Sequence, residues 1–483
     1  NWGGQGNDGR IGENGYGFYE LSGGTMTNNG YFQVGVNLAS VGILSQSGGT
    51  FRMSSKYGGA FAISRGGTGM VYVAGGRFES FLTMNVGELS GNSYTRGFAD
   101  FTVAGTGDAW VAGNINMADR TNMFATVKLN GGTLTANTLT RNVRAGSLAY
   151  VNFGGGTFRA RTAGNLFGAG VNAPDAVFVY PGGATFDSTN LAVTANANLL
   201  APTGKGVSSI TVTPRGGYIG PPFVTISGGG GTGATALAQF DSANGTVTGV
   251  QITCPGFGYT ILSIVSLSGG GTNLQTAVTG VTLAPNSSGG LTKRGNGTLL
   301  LTGTNTYGGV TTLAGGTLKP NNALALPANT TFTFSGGTLD LNGLTLTNLI
   351  NTTGAIAGGI TNGTLDTVLS PAGQGVIGSQ TFSLTARSSA TLRGTYFADV
   401  TEAGDCDLVA VQGNINLSTI ALQIVNLDLL SRTRQYTILT CTGTRSGNFA
   451  NTNIPDGSKW HLIPLSDGSV RLVYVNGTLI RLR

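Results

Sequence analysis

Along most of this chain apolar residues alternate with small polar ones in short runs, and glycine or Asn-Gly closes each run. The stretch Leu291 to Leu318 shows the pattern best. Leu291-Thr292-Lys293, Thr298-Leu299-Leu300-Leu301 and Val310-Thr311-Thr312-Leu313 are set apart by Gly295-Asn296-Gly297, Gly308-Gly309 and Gly315-Gly316. Alternation at period two predicts strands, and Gly and Asn supply the positive φ that tight corners need. Three strands cut by regular corners and closing on Gly-Gly-Thr-Leu predict one coil of a β-solenoid.

Residues 1–206 repeat this design loosely. Copies of apolar-x-apolar-x-Gly-Gly-Thr-apolar end at Gly23-Gly24-Thr25-Met26, Gly48-Gly49-Thr50-Phe51, Gly75-Gly76-Arg77-Phe78, Gly131-Gly132-Thr133-Leu134 and Gly155-Gly156-Thr157-Phe158. A weaker copy ends at Ala184-Thr185-Phe186, and a degraded one lies near Phe101-Thr102-Val103. Their spacing of about 25 residues is in the range of solenoid repeats. One such coil cannot bury its own inward face, so it has to stack on neighbours. Meandering antiparallel hairpins are the alternative, since Gly-Gly also makes hairpin turns.

Residues 207–285 change character. Pro214-Arg215-Gly216-Gly217-Tyr218 through Ser227-Gly228-Gly229-Gly230 is echoed by Pro255-Gly256-Phe257-Gly258-Tyr259 through Ser268-Gly269-Gly270-Gly271. This resembles a Gly-Tyr/Pro-Pro repeat of large bacterial and phage surface proteins. With two copies it reads as a small β insert on or between solenoid parts.

Residues 286–365 return to coils. Gly297-Thr298-Leu299, Leu301, Gly303, Asn305, Tyr307, Gly309, Thr311 and Gly315-Gly316-Thr317-Leu318 together resemble the autotransporter-associated β-strand repeat of bacterial passenger domains. A further copy ends at Gly336-Gly337-Thr338-Leu339. The resemblance implies an extracellular passenger and says little about activity, because such passengers include adhesins, proteases and stalks.

Residues 366–483 hold less glycine and longer strands, and read as a C-terminal capping β module. The last segment predicts a hairpin, Val470 to Val475 against Thr478 to Arg483 across Asn476-Gly477. Its apolar positions Val470, Leu472, Val473, Val475, Leu479, Ile480 and Leu482 are candidates for self-assembly, by adding a strand to the next copy. Cys406 and Cys441 stand in strand-like runs and would form a disulfide if the strands bring them together; otherwise they are buried thiols, as Cys254 is expected to be. The ~10-residue alternating strands of a membrane β-barrel translocator are not seen after this module. A cleaved translocator or another export route is then expected.

Composition narrows the function. The chain has 483 residues with 83 glycines, only 10% charged residues and 40% hydrophobic ones, enough apolar surface to fold and more length than one compact core needs. The net charge of +6 comes without a Lys/Arg run longer than two, which argues against nucleic acid. No stretch has the ~18 apolar residues of a membrane-spanning helix. The start, Asn1-Trp2-Gly3-Gly4, is neither a signal peptide nor an initiator Met, so a secreted chain with a processed N-terminus, or a fragment, is expected.

Chemistry is sparse. The one histidine, His461, follows Trp460 in a predicted strand, and no Gly-x-Ser-x-Gly elbow occurs. No catalytic residue and no cofactor is expected. Asp399, Glu402, Asp405 and Asp407 form the densest acidic cluster; Asp405 and Asp407 are weak candidates for a calcium site, against a solvated turn. Gly3-Gly4-Gln5-Gly6-Asn7-Asp8 matches the start of a calcium nonapeptide in a single copy. Tyr16, Phe18, Tyr19, Tyr31, Phe32, Tyr57, Phe61 and Tyr72 are either a carbohydrate-stacking strip or rings stacked between coils.

The reading that results is an all-β, elongated parallel β-helix or solenoid with a small β insert and a C-terminal capping module. Its expected role is that of a non-enzymatic structural protein of the cell surface or extracellular matrix, a fibre or stalk assembling with copies of itself. The alternative is a glycan- or host-binding adhesin passenger.

Overall fold

A computed structural model describes residues 8–54, 59–88, 96–271, 276–328, 330–346, 359–361, 364–371, 375, 377–384 and 391–476. It divides into two units. The first comprises residues 1–187, 193–290 and 305–308, and the second residues 188–192, 291–304 and 309–483.

In the first unit the repeats form parallel coils of three strands. One sheet is the stack Gly9–Ile11, Phe32–Val34, Phe61–Ile63, Met84–Val86, Ile115–Met117 and Leu139–Arg141. A second runs through Tyr16–Leu21, Val41–Gln46, Thr68–Val73, the first part of Gly97–Val111 and the first part of Met123–Ala136, then Leu148–Phe153 and Ala176–Val179. A third runs through Thr25–Asn28, Thr50–Met53, Arg77–Ser80, the ends of the same two long strands, Thr157–Ala160 and Ala184–Asp187. All these pairings are parallel, which decides against the antiparallel meander.

Alternation sends one set of side chains inward at every level. Leu44, Val71, Phe101, Val127, Val151 and Val177 share one register position, and Phe51, Phe78, Ala109, Leu134, Phe158 and Phe186 share another; all are buried. Phe32 stacks on Phe61 with centroids 5.6 Å apart, Phe51 on Phe78 at 5.2 Å, and the two pairs meet edge to face. Phe32 and Phe61 are thus interior rings.

At the stacked corners of Gly49 and Gly76 the second Gly is required twice over. Gly24, Gly49 and Gly76 have φ of 70°, 64° and 71°. Corners also lie directly above one another, so a Cβ on Gly76 would sit 2.3 Å from the carbonyl oxygen of Gly49. Only glycine meets both conditions.

Residues 205–285 of the first unit make a separate six-stranded antiparallel sheet, in the order Ile264–Ser268, Phe223–Ser227, Thr235–Asp241, Thr246–Cys254, Lys205–Val212, Val278–Pro285. The two sequence copies meet around a local two-fold: Phe223 pairs with Ser268, Ser227 with Ile264, and the equivalent residues Thr225 and Ser266 with each other. Tyr218 and Tyr259, equivalent in the two copies, are both buried in this insert's core.

The second unit continues the parallel design. Leu291–Arg294 and Thr298–Leu301 pair with Thr311–Pro320, which pairs with Phe332–Asp340. Leu291, Leu299, Leu301, Leu313 and Leu318 are buried, whereas Val310 is exposed. Lys293 points inward too, and its Nζ donates to the carbonyls of Arg294 and Gly295, at 2.7 Å each, and of Gly315 at 3.1 Å. Parallel stacking persists past residue 366, through Thr364–Leu369, Thr391–Asp399 and Ile420–Val425 and through Ser379–Leu384, Leu408–Gly413 and Gln435–Cys441. Direction reverses where Val470–Tyr474 pairs antiparallel with Gln435–Cys441 on one side and Trp460–Pro464 on the other.

Candidate functional site

With the interior filled, any function falls to the outward side chains. On the second sheet of the first unit these include Tyr16, Phe18, Ile43, Met70, Phe98, Asp100, Thr126, Lys128, Tyr150, Asn152 and Phe178. Ile43, Met70, Asp100, Thr126, Lys128, Tyr150, Asn152 and Phe178 are buried although they point away from the coil interior. The insert lies on them. Phe223 packs on Ile43, Met70 and Phe98, and Phe257 on Tyr150 and Phe178. The hydroxyl of Tyr16 donates to the carbonyl of Pro221 at 2.9 Å, and Phe18 meets Phe240 edge to face.

Polar anchors lie among these contacts. Lys128 Nζ is 2.6 Å from Asp100 Oδ2 and donates to the hydroxyls of Thr235 and Thr253 at 2.7 and 2.8 Å. Asn130 donates to the carbonyl of Thr253. Burial pushes the Cys254 thiol pKa up, against a hydrogen bond with Tyr180. The first sheet is shielded in part as well: Gln33 donates to Glu88 Oε2 at 3.1 Å, and Arg120 donates to the Glu88 carbonyl at 2.7 Å.

The third sheet presents two outward columns. One is Thr25, Thr50, Arg77, Asp108, Thr133, Thr157 and Thr185; the other is Thr27, Arg52, Glu79, Trp110, Thr135, Arg159 and Asp187. Opposite charges sit at the same position of successive coils, as cross-strand pairs prefer. Arg52 is 2.8 Å from Glu79, Arg159 is 3.0 Å from Asp187, and Arg77 bridges Glu79 and Asp108. Burial raises the Glu79 pKa, but hydrogen bonds from Arg52 and Arg77 outweigh it and hold the carboxyl below its usual range. Phe81, 41% exposed, lies beside Trp110 with centroids 5.1 Å apart. The Arg52 guanidinium stands 5.9 Å over Phe81, and that of Arg161 stands 5.5 Å over Trp110. In the second unit Thr298, Thr317 and Thr338 align in the same way, and Lys319 pairs with Asp340 at 3.0 Å.

The sequence-predicted candidates are placed differently. The candidate aromatic strip is dispersed: Phe32 and Phe61 are interior, as rings stacked between coils would be, Tyr19 aligns with interior Leu44 and Val71, Tyr16 and Phe18 lie under the insert, Tyr72 is half-buried at the outward register position of Thr102, and Tyr31 is exposed. Tyr57 is outside the described residues. Asp407 is buried and accepts from the amides of Gly378 and Asp399, while Asp405 is exposed in a turn closed on Thr401. The two carboxylates are used separately and do not share a strand face. Burial pushes the Asp407 carboxyl up to about 7. His461 sits in a strand opposite Val473. Of the nonapeptide start, Asp8 is described, and it pairs with Arg10 at 3.1 Å.

Cys406 and Cys441 are free thiols, so the possible disulfide is not formed. Register gives the reason. Cys441 pairs with Val411, which places Cys406 five residues along the neighbouring strand, about 16 Å away. Val470, Leu472 and Val473 are buried in a strand already bonded on both edges, so that strand has no edge left for another copy. Val475 follows as a loop residue whose amide donates to the Lys459 carbonyl at 2.9 Å. Leu479, Ile480 and Leu482 lie outside the described residues.

Sequence reading passed over Trp110, Phe81 and Arg161, although a signal existed. Arg52, Glu79, Arg159 and Asp187 all stand third after the closing residue of a Gly-Gly or Gly-Ala corner, so aligning the copies would have exposed the column.

No protein-family model matches the chain. The chain is 29% identical, over 314 aligned residues, to the adhesin BmaC autotransporter of Brucella suis biovar 1 (strain 1330). That alignment covers 59% of this chain and 8% of the relative, so the chain spans a small part of that protein's length. The stacked parallel coils and this similarity fit a passenger-type β-solenoid. No helix among the described residues is long and apolar enough to cross a membrane.

Proposed function

We propose that the chain is an adhesive, non-enzymatic passenger segment displayed outside the cell, in which the coils are a rigid support and the open face of the first unit is the binding surface. One observation carries this reading. The insert covers one outward face of the coils, while the opposite columns leave arginines, carboxylates and the Phe81–Trp110 pair in solvent. The similarity to an autotransporter adhesin supports it, and the Gly297 to Leu318 pattern supports assigning those coils to autotransporter-associated β-strand repeats. Beads coated with the full chain should adhere saturably to cultured epithelial cells, with soluble chain competing. Adhesion no greater than that of albumin-coated beads would sink the reading.

A fibre or stalk subunit assembling with copies of itself is the second reading. It is favoured by the low charge and the Gly/Thr-rich coils. It has to use surfaces other than the strand Val470–Tyr474. Electron microscopy of purified chain separates the two: filaments support the fibre, dispersed particles the adhesin.

A further inference from the structure

We infer that the open face of the first unit carries a strip that binds a carboxylated sugar within an otherwise sparsely charged glycan, centred on Trp110 and Arg161. This deepens the adhesive reading and rests on it.

The strip is built by register. Arg52, Glu79, Trp110, Thr135 and Arg159 are successive members of one outward column, and Phe81 and Arg161 stand at the corner just beyond it, following Ser80 and Ala160. Arg52, Phe81, Trp110 and Arg161 therefore form a row along the coil stack, cation, ring, ring, cation. The row crosses four coil-to-coil steps, roughly 19 Å at the strand spacing, which suits an extended oligosaccharide. Half-buried and exposed rings offer flat apolar area to the C–H face of a sugar ring.

Charge identifies the ligand. Arg52 is matched by Glu79, Arg77 by Glu79 and Asp108, and Arg159 by Asp187. Arg161 is exposed, donates to Asn137 Oδ1 at 3.1 Å, and has no carboxylate partner among the described residues. Four arginines face three carboxylates, and the excess charge sits on the guanidinium held over Trp110. The ring contact and the bond to Asn137 position this group, and only one of its donors is spent on Asn137, so others of its fork are left for a carboxylate, which a guanidinium takes in two parallel hydrogen bonds. A dense polyanion would instead meet Glu79 and Asp108 and be repelled there. The recognised unit is one carboxylate beside one ring-stacked sugar.

Calorimetric titration of the full chain with hexasaccharides of hyaluronan and of unsulfated chondroitin, in which only alternate sugars carry a carboxylate, tests this. At least one should bind, and reducing its carboxyl groups to alcohols should weaken it about ten-fold, the scale of one charge-assisted pair. Trp110→Ala and Arg161→Gln should each lose about as much, and in R161Q carboxyl reduction should have little further effect. Arg161 is an exposed corner residue, so R161Q keeps the test valid if W110A folds poorly by circular dichroism. The proposal is overturned if neither hexasaccharide binds, if R161Q binds as tightly as wild type, or if Lys205→Gln in the insert weakens binding equally. Tighter binding of a heparin hexasaccharide that persists in R161Q overturns it too, since that marks diffuse charge. Bead adhesion that persists unchanged in R161Q, with no hexasaccharide binding, leaves the adhesin reading standing and removes the sugar strip. Hexasaccharide binding without bead adhesion does the reverse.

Discussion

Nζ of Lys128 lies 2.6 Å from Oδ2 of Asp100, and neither side chain reaches solvent. Both belong to the outward face of a coil, where ions are normally solvated, and both are sealed by the insert through Thr235 and Thr253. Breaking one partner leaves the other charge buried and uncompensated. Lys128→Met should destabilise the first unit by about 3–5 kcal/mol in urea unfolding and make the insert the first site of limited proteolysis. Lys128→Met with Asp100→Leu should recover most of the loss. Equal losses in the single and double variants would show that the pair is not what holds this region.

Corner glycines differ in what they tolerate. Gly76→Ala forces a left-handed residue and a Cβ 2.3 Å from the Gly49 carbonyl oxygen, so it should cost about 2 kcal/mol or more. Gly23→Ala, outside the left-handed region and with open space around the new Cβ, should leave the urea midpoint nearly unchanged. The contrast between a corner stacked on another and one without a neighbour at that point checks the stacking geometry directly.

Asp407 makes the second unit pH-dependent. Its folded-state pKa, pushed to about 7 by burial, stands above the unfolded value near 3.8. Folding therefore favours the protonated form. The contribution is complete below the unfolded pKa and is lost as pH rises through about 7. The nearby Asp399 carboxylate, which accepts from the Gly375 amide, pushes in the same direction. Unfolding of the second unit should begin at lower temperature at pH 8 than at pH 5.5, and Asp407→Asn should reduce that difference. A difference unchanged in D407N assigns the pH dependence to other groups.

Thiol chemistry should show three unpaired cysteines. Alkylation in denaturant without reductant should add three labels by mass spectrometry; a chain taking only one would restore the Cys406–Cys441 bond. In the native protein at pH 8 labelling should be slow, because Cys254 and Cys441 are buried and burial pushes the Cys406 thiol up to about 11.

The coil was legible in the residues because its causes are local. Alternation decides which of Phe51, Arg52 and Met53 face inward, and a corner that needs positive φ needs Gly49 or Gly76, whatever lies elsewhere in the chain. The same locality explains why residues 207–285 stood apart as a two-copy segment. What those residues cover could not be read, since nothing near Tyr16, Phe18 or Lys128 in the chain reports that a sheet more than 70 residues away will lie on them. Tyr16 and Phe18 therefore stayed open between an exposed strip and rings stacked between coils, while Trp110, Phe81 and Arg161 escaped notice, each unremarkable beside its chain neighbours. Register was the other missing quantity. Cys406 and Cys441 both lie in or next to strands that do pair, and five residues of offset along those strands keep them apart. The residues alone were enough for short strands, glycine corners and the side chains each strand sends to either face. Parallel stacking over an antiparallel meander, and the outward face that stays in solvent, came from the folded molecule, because both depend on long-range packing that no local steric rule records.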